Sequence, residues 1–174
     1  MPRSTSEGKI WTQARVLDLN PATILDIGPG AGTYSELLRP RMPHTHFTCV
    51  EIFEPYVEKY QLREKYPEVN VADARNFEFP VSDVVILGDV LEHMSREDAI
   101  TVWKKAVVAA RLATLLSIPI IEYPQGAMEG NEHEAHLHTW SHESVLRDFR
   151  GITLSWTGTE VGCYLAPGYV MGRK

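Results

Sequence analysis

The segment DVVILGD, Asp83 to Asp89, holds four consecutive apolar residues with no polar position among them. A half-buried strand alternates apolar and polar residues, whereas a strand covered on both faces reads as a run, so this segment belongs inside a sheet with helices on either side. That requirement organises the rest of the chain. TILDI, HFTCVE, VNVAD and ATLLSIPII read as further strands, separated by amphipathic stretches of crossover length, which is the pattern of a parallel sheet. Helices are expected over GKIWTQARVLDL, over EPYVEKYQLREKY with Pro55 in its first turn, over REDAITVWKKAVVAARL and over SHESVLRDF. Ser95 and Asp98 resemble a capping box for the third of these, with aspartate in the glutamate position. ITLSW and VGCYLAP, joined through TGTE with Gly158 between them, read as an antiparallel hairpin. The expectation is an α/β chain with seven strands, mostly parallel, helices on both faces and an antiparallel C-terminal hairpin. At 174 residues it is read as one domain, 1–174, with no separate substrate domain.

Charge and cysteine content narrow the function classes. A formal charge of −6 gives no general basic footprint for coating nucleic acid. Cys49 and Cys163 lie far apart and form no CxxC pair, which reads as reduced thiols in a cytoplasm. The first twenty residues have no apolar core of a signal peptide, and no run approaches bilayer-spanning length, so a soluble cytoplasmic protein without membrane partners is expected.

The strongest chemical signal is ILDIGPGAGTYSELL. Gly28, Gly30 and Gly32 alternate directly after a strand and before a helix, so the backbone can turn sharply and let a ligand approach its N–H groups. A P-loop requires Gly-Lys-Ser/Thr, but Gly32 is followed by Thr33 and Tyr34. The dinucleotide pattern G-x-G-x-x-G is also missed, because the third glycine comes one residue early. Asp26, two positions before the first glycine, faces a pyrophosphate unfavourably and suits a ligand bearing an ammonium group.

These residues make the chain resemble a class I S-adenosylmethionine-dependent methyltransferase, of the small-molecule type similar to the ubiquinone and menaquinone biosynthesis enzymes. The family pattern Asp-x-Gly-x-Gly-x-Gly is met by Asp26, Gly28, Gly30 and Gly32. The resemblance implies a Rossmann-like sheet with S-adenosylmethionine as cofactor, its methionine part held at the glycine turn. It implies further that Glu51, next to Ile52 at the end of the second strand, receives the ribose hydroxyls, and that Asp73 and Ala74 after the third strand lie by the adenine. Asp89-Val90-Leu91-Glu92-His93 is similar to an Asp-x-Leu-Glu-His segment of the same enzymes, which places Gly88 and Asp89 beside the methionine end and His93 near the methyl group.

Four of the seven histidines crowd into EGNEHEAHLHTWSHE. His136 and His138, with His133, Glu132 or Glu134, form a conceivable ligand set, but neither HExxH nor a Cys/His zinc pattern is present, and no metal is assigned. The stretch instead resembles a His-x-x-Phe/Trp-Ser/Thr-x-Glu-Ser segment of related enzymes. By that resemblance Trp140 packs the loop onto the domain, Ser141 caps the following helix and His136 or His138 points to the active-site mouth, making the loop a lid. Substrate selection then falls on residues 122–140, on the N-terminal segment with Trp11, and on any partner subunit.

The expected reaction is in-line transfer of a methyl group to a small-molecule acceptor, with His93, His133, His136 and His138 as candidate bases. The alternatives are a nucleic-acid methyltransferase and a non-catalytic cofactor-binding protein. Against the first, the Asn/Asp-Pro-Pro-Tyr/Phe motif and a Pro-Cys nucleophile are both missing, although RNA modification outside those motifs stays open.

Overall fold

A computed structural model describes residues 6–169. Five strands are parallel: β1 (Thr23–Ile27), β2 (His46–Glu51), β3 (Glu68–Val71), β4 (Ser82–Gly88) and β5 (Ala110–Pro119). The hairpin strands β6 (Leu154–Thr157) and β7 (Val161–Pro167) run antiparallel, and the sheet order is β3-β2-β1-β4-β5-β7-β6. The later hairpin strand is therefore the inner one, paired with β5 from Ala113↔Pro167 to Pro119↔Val161.

Burial follows the pleat. Along β4, Val85 and Leu87 join the core on one face, with Trp103, Trp140 and Phe149, while Val84 and Ile86 join the core on the other, with Val16, Leu38 and Tyr66. All four strand residues are fully buried, so the unbroken apolar run is accounted for by two cores rather than one. The helices supplying those cores are α1 (Lys9–Leu19), α2 (Thr33–Leu38), α3 (Glu54–Lys59), α4 (Leu62–Lys65), α5 (Arg96–Ala109) and α6 (His142–Asp148).

Several boundaries differ from expectation, two of them for a reason visible in the packing. The single helix over 54–66 is broken between α3 and α4, where Gln61 takes a left-handed φ of 53°. Val57, Leu62 and Tyr66 are all buried in one core. On one continuous helix Val57 and Leu62 stand about 140° apart, so the break lets both face inward. The second difference is at the end of α5, where Ala110-Arg111-Leu112 leave the helix for β5. Their helix propensity is good, but pairing of Ala110 with Ser82 extends the strand instead. Ser95 caps α5 by accepting the Asp98 N–H at 3.1 Å. Among the described residues no helix is long and apolar enough to cross a membrane.

Candidate active site

A cleft of about 370 Å³ opens beyond the carboxyl ends of β1, β2 and β4. It lies where ligands bind in open α/β sheets, at the point where the strand order reverses. The glycine turn forms its floor. Gly28 (φ 66°) and Gly30 (φ 51°) have left-handed backbones, and a Cβ on Gly28 would meet Val90 Cγ2 at 2.6 Å. The turn thus demands glycine on both conformational and steric grounds. Gly32 stands at the N-cap of α2 with φ 82° and does not line the cleft.

Of the expected cofactor residues, Gly28, Gly30, Glu51, Ile52, Asp73, Ala74, Gly88 and Asp89 all line the cleft. Asp26 does not: it lies fully buried behind the wall, where its Oδ2 accepts the Tyr66 hydroxyl at 2.5 Å and its Oδ1 has no partner. Burial pushes its pKa up to about 6, against the Tyr66 hydrogen bond and the Lys9 charge. The ammonium acting on Asp26 is therefore the chain's own.

Glu51 is also buried, yet it faces the cleft. Its Oε1 accepts the Phe53 N–H at 2.9 Å, and burial pushes its pKa up to about 7 although backbone N–H groups of Phe53 and Gly30 oppose the shift. Asp73 reaches the cleft with its carboxylate gripped by Arg75, whose Nε lies 3.0 and 2.9 Å from its two oxygens. The Arg75 hydrogen bonds hold that carboxyl below its usual pKa. Arg75, which also lines the cleft, carries no sequence signal of its own.

Asp89 has a left-handed φ of 52° and is tied from two sides: Lys9 Nζ lies at 2.9 Å and the Ser117 hydroxyl donates at 3.0 Å. Lys9 reaches the Tyr34 and Ser117 hydroxyls as well, each at 3.3 Å. Sequence reasoning missed Lys9 and Ser117 because 80 and 28 residues separate them from Asp89, and no local motif spans such gaps.

The loop after β5 lies along the cleft. Tyr123, Gln125, Met128 and Asn131 line the cleft together with His133, His136 and Leu137. Trp140 is buried, with its ring 4.6 Å from that of Phe149. Ser141 and Ser144 form a reciprocal capping box that opens α6. The main-chain N–H groups of Leu137 and His138 both donate to the Glu92 carbonyl, at 2.8 and 3.3 Å, stitching this loop to the cleft wall. Trp11 differs from expectation: it packs on the core around Val16 and is not a cleft residue.

The four candidate histidines separate. His93, His133 and His136 line the cleft, whereas His138 sets its ring edge-on to Trp140 at 4.5 Å and does not. His136 and His138 thus form no shared ligand pair. His93 and His136 lie ring to ring at 4.9 Å, and both have Nδ1 against a main-chain carbonyl, Ala135 at 3.3 Å and Tyr123 at 2.7 Å. A carbonyl only accepts, so Nδ1 carries the proton in both rings, and in the neutral imidazole Nε2 carries the lone pair. Burial lowers both pKa values, which favours that neutral form. Glu92, adjacent to them, is fully buried, with Oε2 unpartnered and its pKa raised by burial and then by Asp89.

Fold and cleft together define an α/β protein with a nucleotide-type cofactor site at its switch point. A family profile described as "Methyltransferase domain" matches residues 24–111, and the chain belongs to that family. A demethylmenaquinone methyltransferase of Thermotoga maritima is 33% identical over 64 residues, which are 37% of this chain and 28% of that enzyme. Among solved structures, the PH0226 protein of Pyrococcus horikoshii superposes with a TM-score of 0.68 at 18% identity, covering 97% of this chain and 96% of its own. Magnesium protoporphyrin IX methyltransferase of Synechocystis, crystallised with S-adenosylmethionine, gives 0.64 at 18% identity over 91% of this chain and 76% of its own.

Proposed function

We propose that the chain transfers a methyl group from S-adenosylmethionine to a small-molecule acceptor. The observation that carries this reading is that two kinds of residue line one cleft. The glycine turn with Glu51 suits a cofactor, and His93, His136, Met128 and Tyr123, which line the same cleft, suit an acceptor beside it. The cofactor, when bound, supplies an electrophilic methyl on a sulfonium. The chain's own residues do the rest. Glu51 accepts two vicinal hydroxyls, Gly28 and Gly30 allow close backbone approach, Gly88 and Asp89 flank the amino-acid end, and Ile52, Asp73 and Ala74 border the adenine. The lid excludes water and holds the acceptor behind the methyl, where alignment supplies most of the rate.

The charge of the cleft supports a small acceptor. Its lining includes Glu51, Asp73, Asp89, Glu92, Glu132, Glu134 and Glu160, against the single basic side chain of Arg75. A polyanionic backbone would find only Arg75 as a lysine or arginine partner among the described lining residues, and the whole chain carries −6. Demethylmenaquinone methyltransferase and magnesium protoporphyrin IX methyltransferase, which the chain resembles, are named for small acceptors as well.

Calorimetry with S-adenosylmethionine tests the cofactor, and a radiolabelled methyl-transfer screen against quinol, phenol, sugar and RNA pools tests the acceptor. Glu51→Ala is expected to weaken cofactor binding at least tenfold. His93→Ala and His136→Ala are expected to depress turnover a hundredfold or so while changing cofactor affinity little. Binding without transfer to any pool would favour a sensor over an enzyme, and transfer confined to RNA would remove the small-molecule reading.

A further inference from the structure

Of the described residues, three with metal-ligating side chains gather in the acceptor half of the cleft. One ligand atom each from Glu92, His93 and His136 lies within 4.8 Å of the other two. A tetrahedral set with metal–ligand bonds of about 2.05 Å has ligand atoms roughly 3.3 Å apart, so modest side-chain rotation brings these three to bonding distance.

Three independent features fit a cation. The first is tautomeric: each imidazole spends Nδ1 on a backbone carbonyl, Ala135 or Tyr123, which fixes the ring and leaves Nε2 as the donor atom. That is how metal-binding histidines are oriented by their surroundings. The second is an unsatisfied carboxyl. Glu92 is 2% exposed and its Oε2 has no partner, a costly state for a buried acid and one that a cation would relieve. The third is rigidity. Glu92 and His93 occupy one tight turn, Leu91–His93, and the Glu92 carbonyl receives the Leu137 N–H, so the wall itself holds the lid segment bearing His136. Two nitrogens and one carboxylate suit a zinc-class transition metal with open positions, whereas magnesium and calcium prefer oxygen throughout.

We propose that Glu92, His93 and His136 bind a divalent zinc-class cation whose open positions receive an ionisable oxygen or sulfur of the methyl acceptor. The proposed role for the cation rests on the methyl-transfer reading above. The coordinated O–H or S–H, made more acidic by the cation, loses its proton to solvent water. The freed electron pair forms the bond to the methyl carbon, and the carbon–sulfur bond breaks with its pair returning to the sulfonium sulfur. The acceptor class is accordingly a phenol, enol, hydroxyl or thiol rather than a carbon nucleophile or a protonated amine.

The test uses tag-free full-length chain stripped with chelator and titrated with Co²⁺, whose d–d absorption reports a coordinated site without any turnover. One equivalent is expected, displaced by Zn²⁺. His136→Ala and Glu92→Gln are expected to weaken binding by tenfold or more, and His46→Ala, on an exposed strand end, to leave it unchanged. Because Glu92→Gln perturbs a buried position, the lid variant His136→Ala decides if the other fails to fold. Calorimetry with S-adenosylhomocysteine on the same preparation separates the two ideas. Nucleoside binding without a Co²⁺ signal, or a Co²⁺ signal unchanged in His136→Ala, overturns the metal site alone. A His136-dependent Co²⁺ signal without nucleoside binding supports the site and overturns the cofactor reading.

Discussion

Burial holds Glu51 on the edge of ionisation, and this gives the cofactor side of the cleft a pH signature. With a folded-state pKa of about 7 against an ordinary value near 4.5, the folded protein holds more protons than the unfolded chain between those limits. Stability therefore falls as pH rises through that window and is flat above it. Ligand hydroxyls donate to the ionised carboxylate and pull its pKa back down, so binding must release a proton. The expected outcome is a cofactor affinity that rises from pH 5.5 to 7.5 and then levels. Calorimetry in buffers of different ionisation enthalpy should show roughly one proton released at pH 6 and almost none at pH 8.5. Glu51→Gln should abolish the release and stabilise the free protein above pH 7. Release unaltered in that variant would mean that another group carries the linkage.

At the scale of elements, the proposed lid is a long irregular segment held by few attachments. Trp140 is the largest of them, and its indole N–H has no partner. Its contribution is thus apolar packing against Phe149 and His138, with no polar component. Trp140→Ala should cost about 3–5 kcal/mol in urea unfolding. Trp140→Phe keeps a ring in the site and loses no hydrogen bond, so it should cost less than half as much and leave α6 docked. Equal losses in the two variants would show that the N–H matters after all. The same segment shows what sequence can reveal. Trp140 and Ser141 were legible because an anchor and a cap are local signals. β1 and β2 were legible to the residue because turn-forming stretches bound them tightly. The break at Gln61 was not, since no glycine or proline marks it and only the need to bury both Val57 and Leu62 calls for it. Nor was the early start of β5, where a partner strand overrides a good helical sequence.

Across the whole molecule, the parts of the site that local patterns missed are long-range. α1 contributes nothing to the sheet, yet its first residue, Lys9, is 5% exposed and joins α2, the turn after β4, and β5 through Tyr34, Asp89 and Ser117. Just before the helix, the Glu7 carboxylate accepts the N–H groups of Thr159, Glu160 and Val161 at 2.7–2.8 Å, clamping the β6–β7 turn to the other end of the chain. Those hydrogen bonds lower the Glu7 pKa, so the clamp is present above the ordinary carboxylate range and lost as pH falls through the depressed value. The Lys9 link is more consequential. Burial alone would lower its pKa, but Asp89 and Tyr34 outweigh burial and raise it, so the ammonium stays charged at pH 7. Lys9→Met keeps most of the stem but leaves the Asp89 carboxylate, which is partly open to the cleft and still bonded by Ser117, without its ammonium; the cost should approach but stay below the ~3–5 kcal/mol of a fully buried pair. Adding Asp89→Asn removes the stranded charge, so the double variant should be more stable than Lys9→Met alone. Urea unfolding of the two single variants and the double variant measures that coupling directly. A loss below about 0.5 kcal/mol in Lys9→Met, or a double variant no better than that single one, would mean that α1 is held by its apolar face and that the ion pair serves only to orient Asp89 at the cleft.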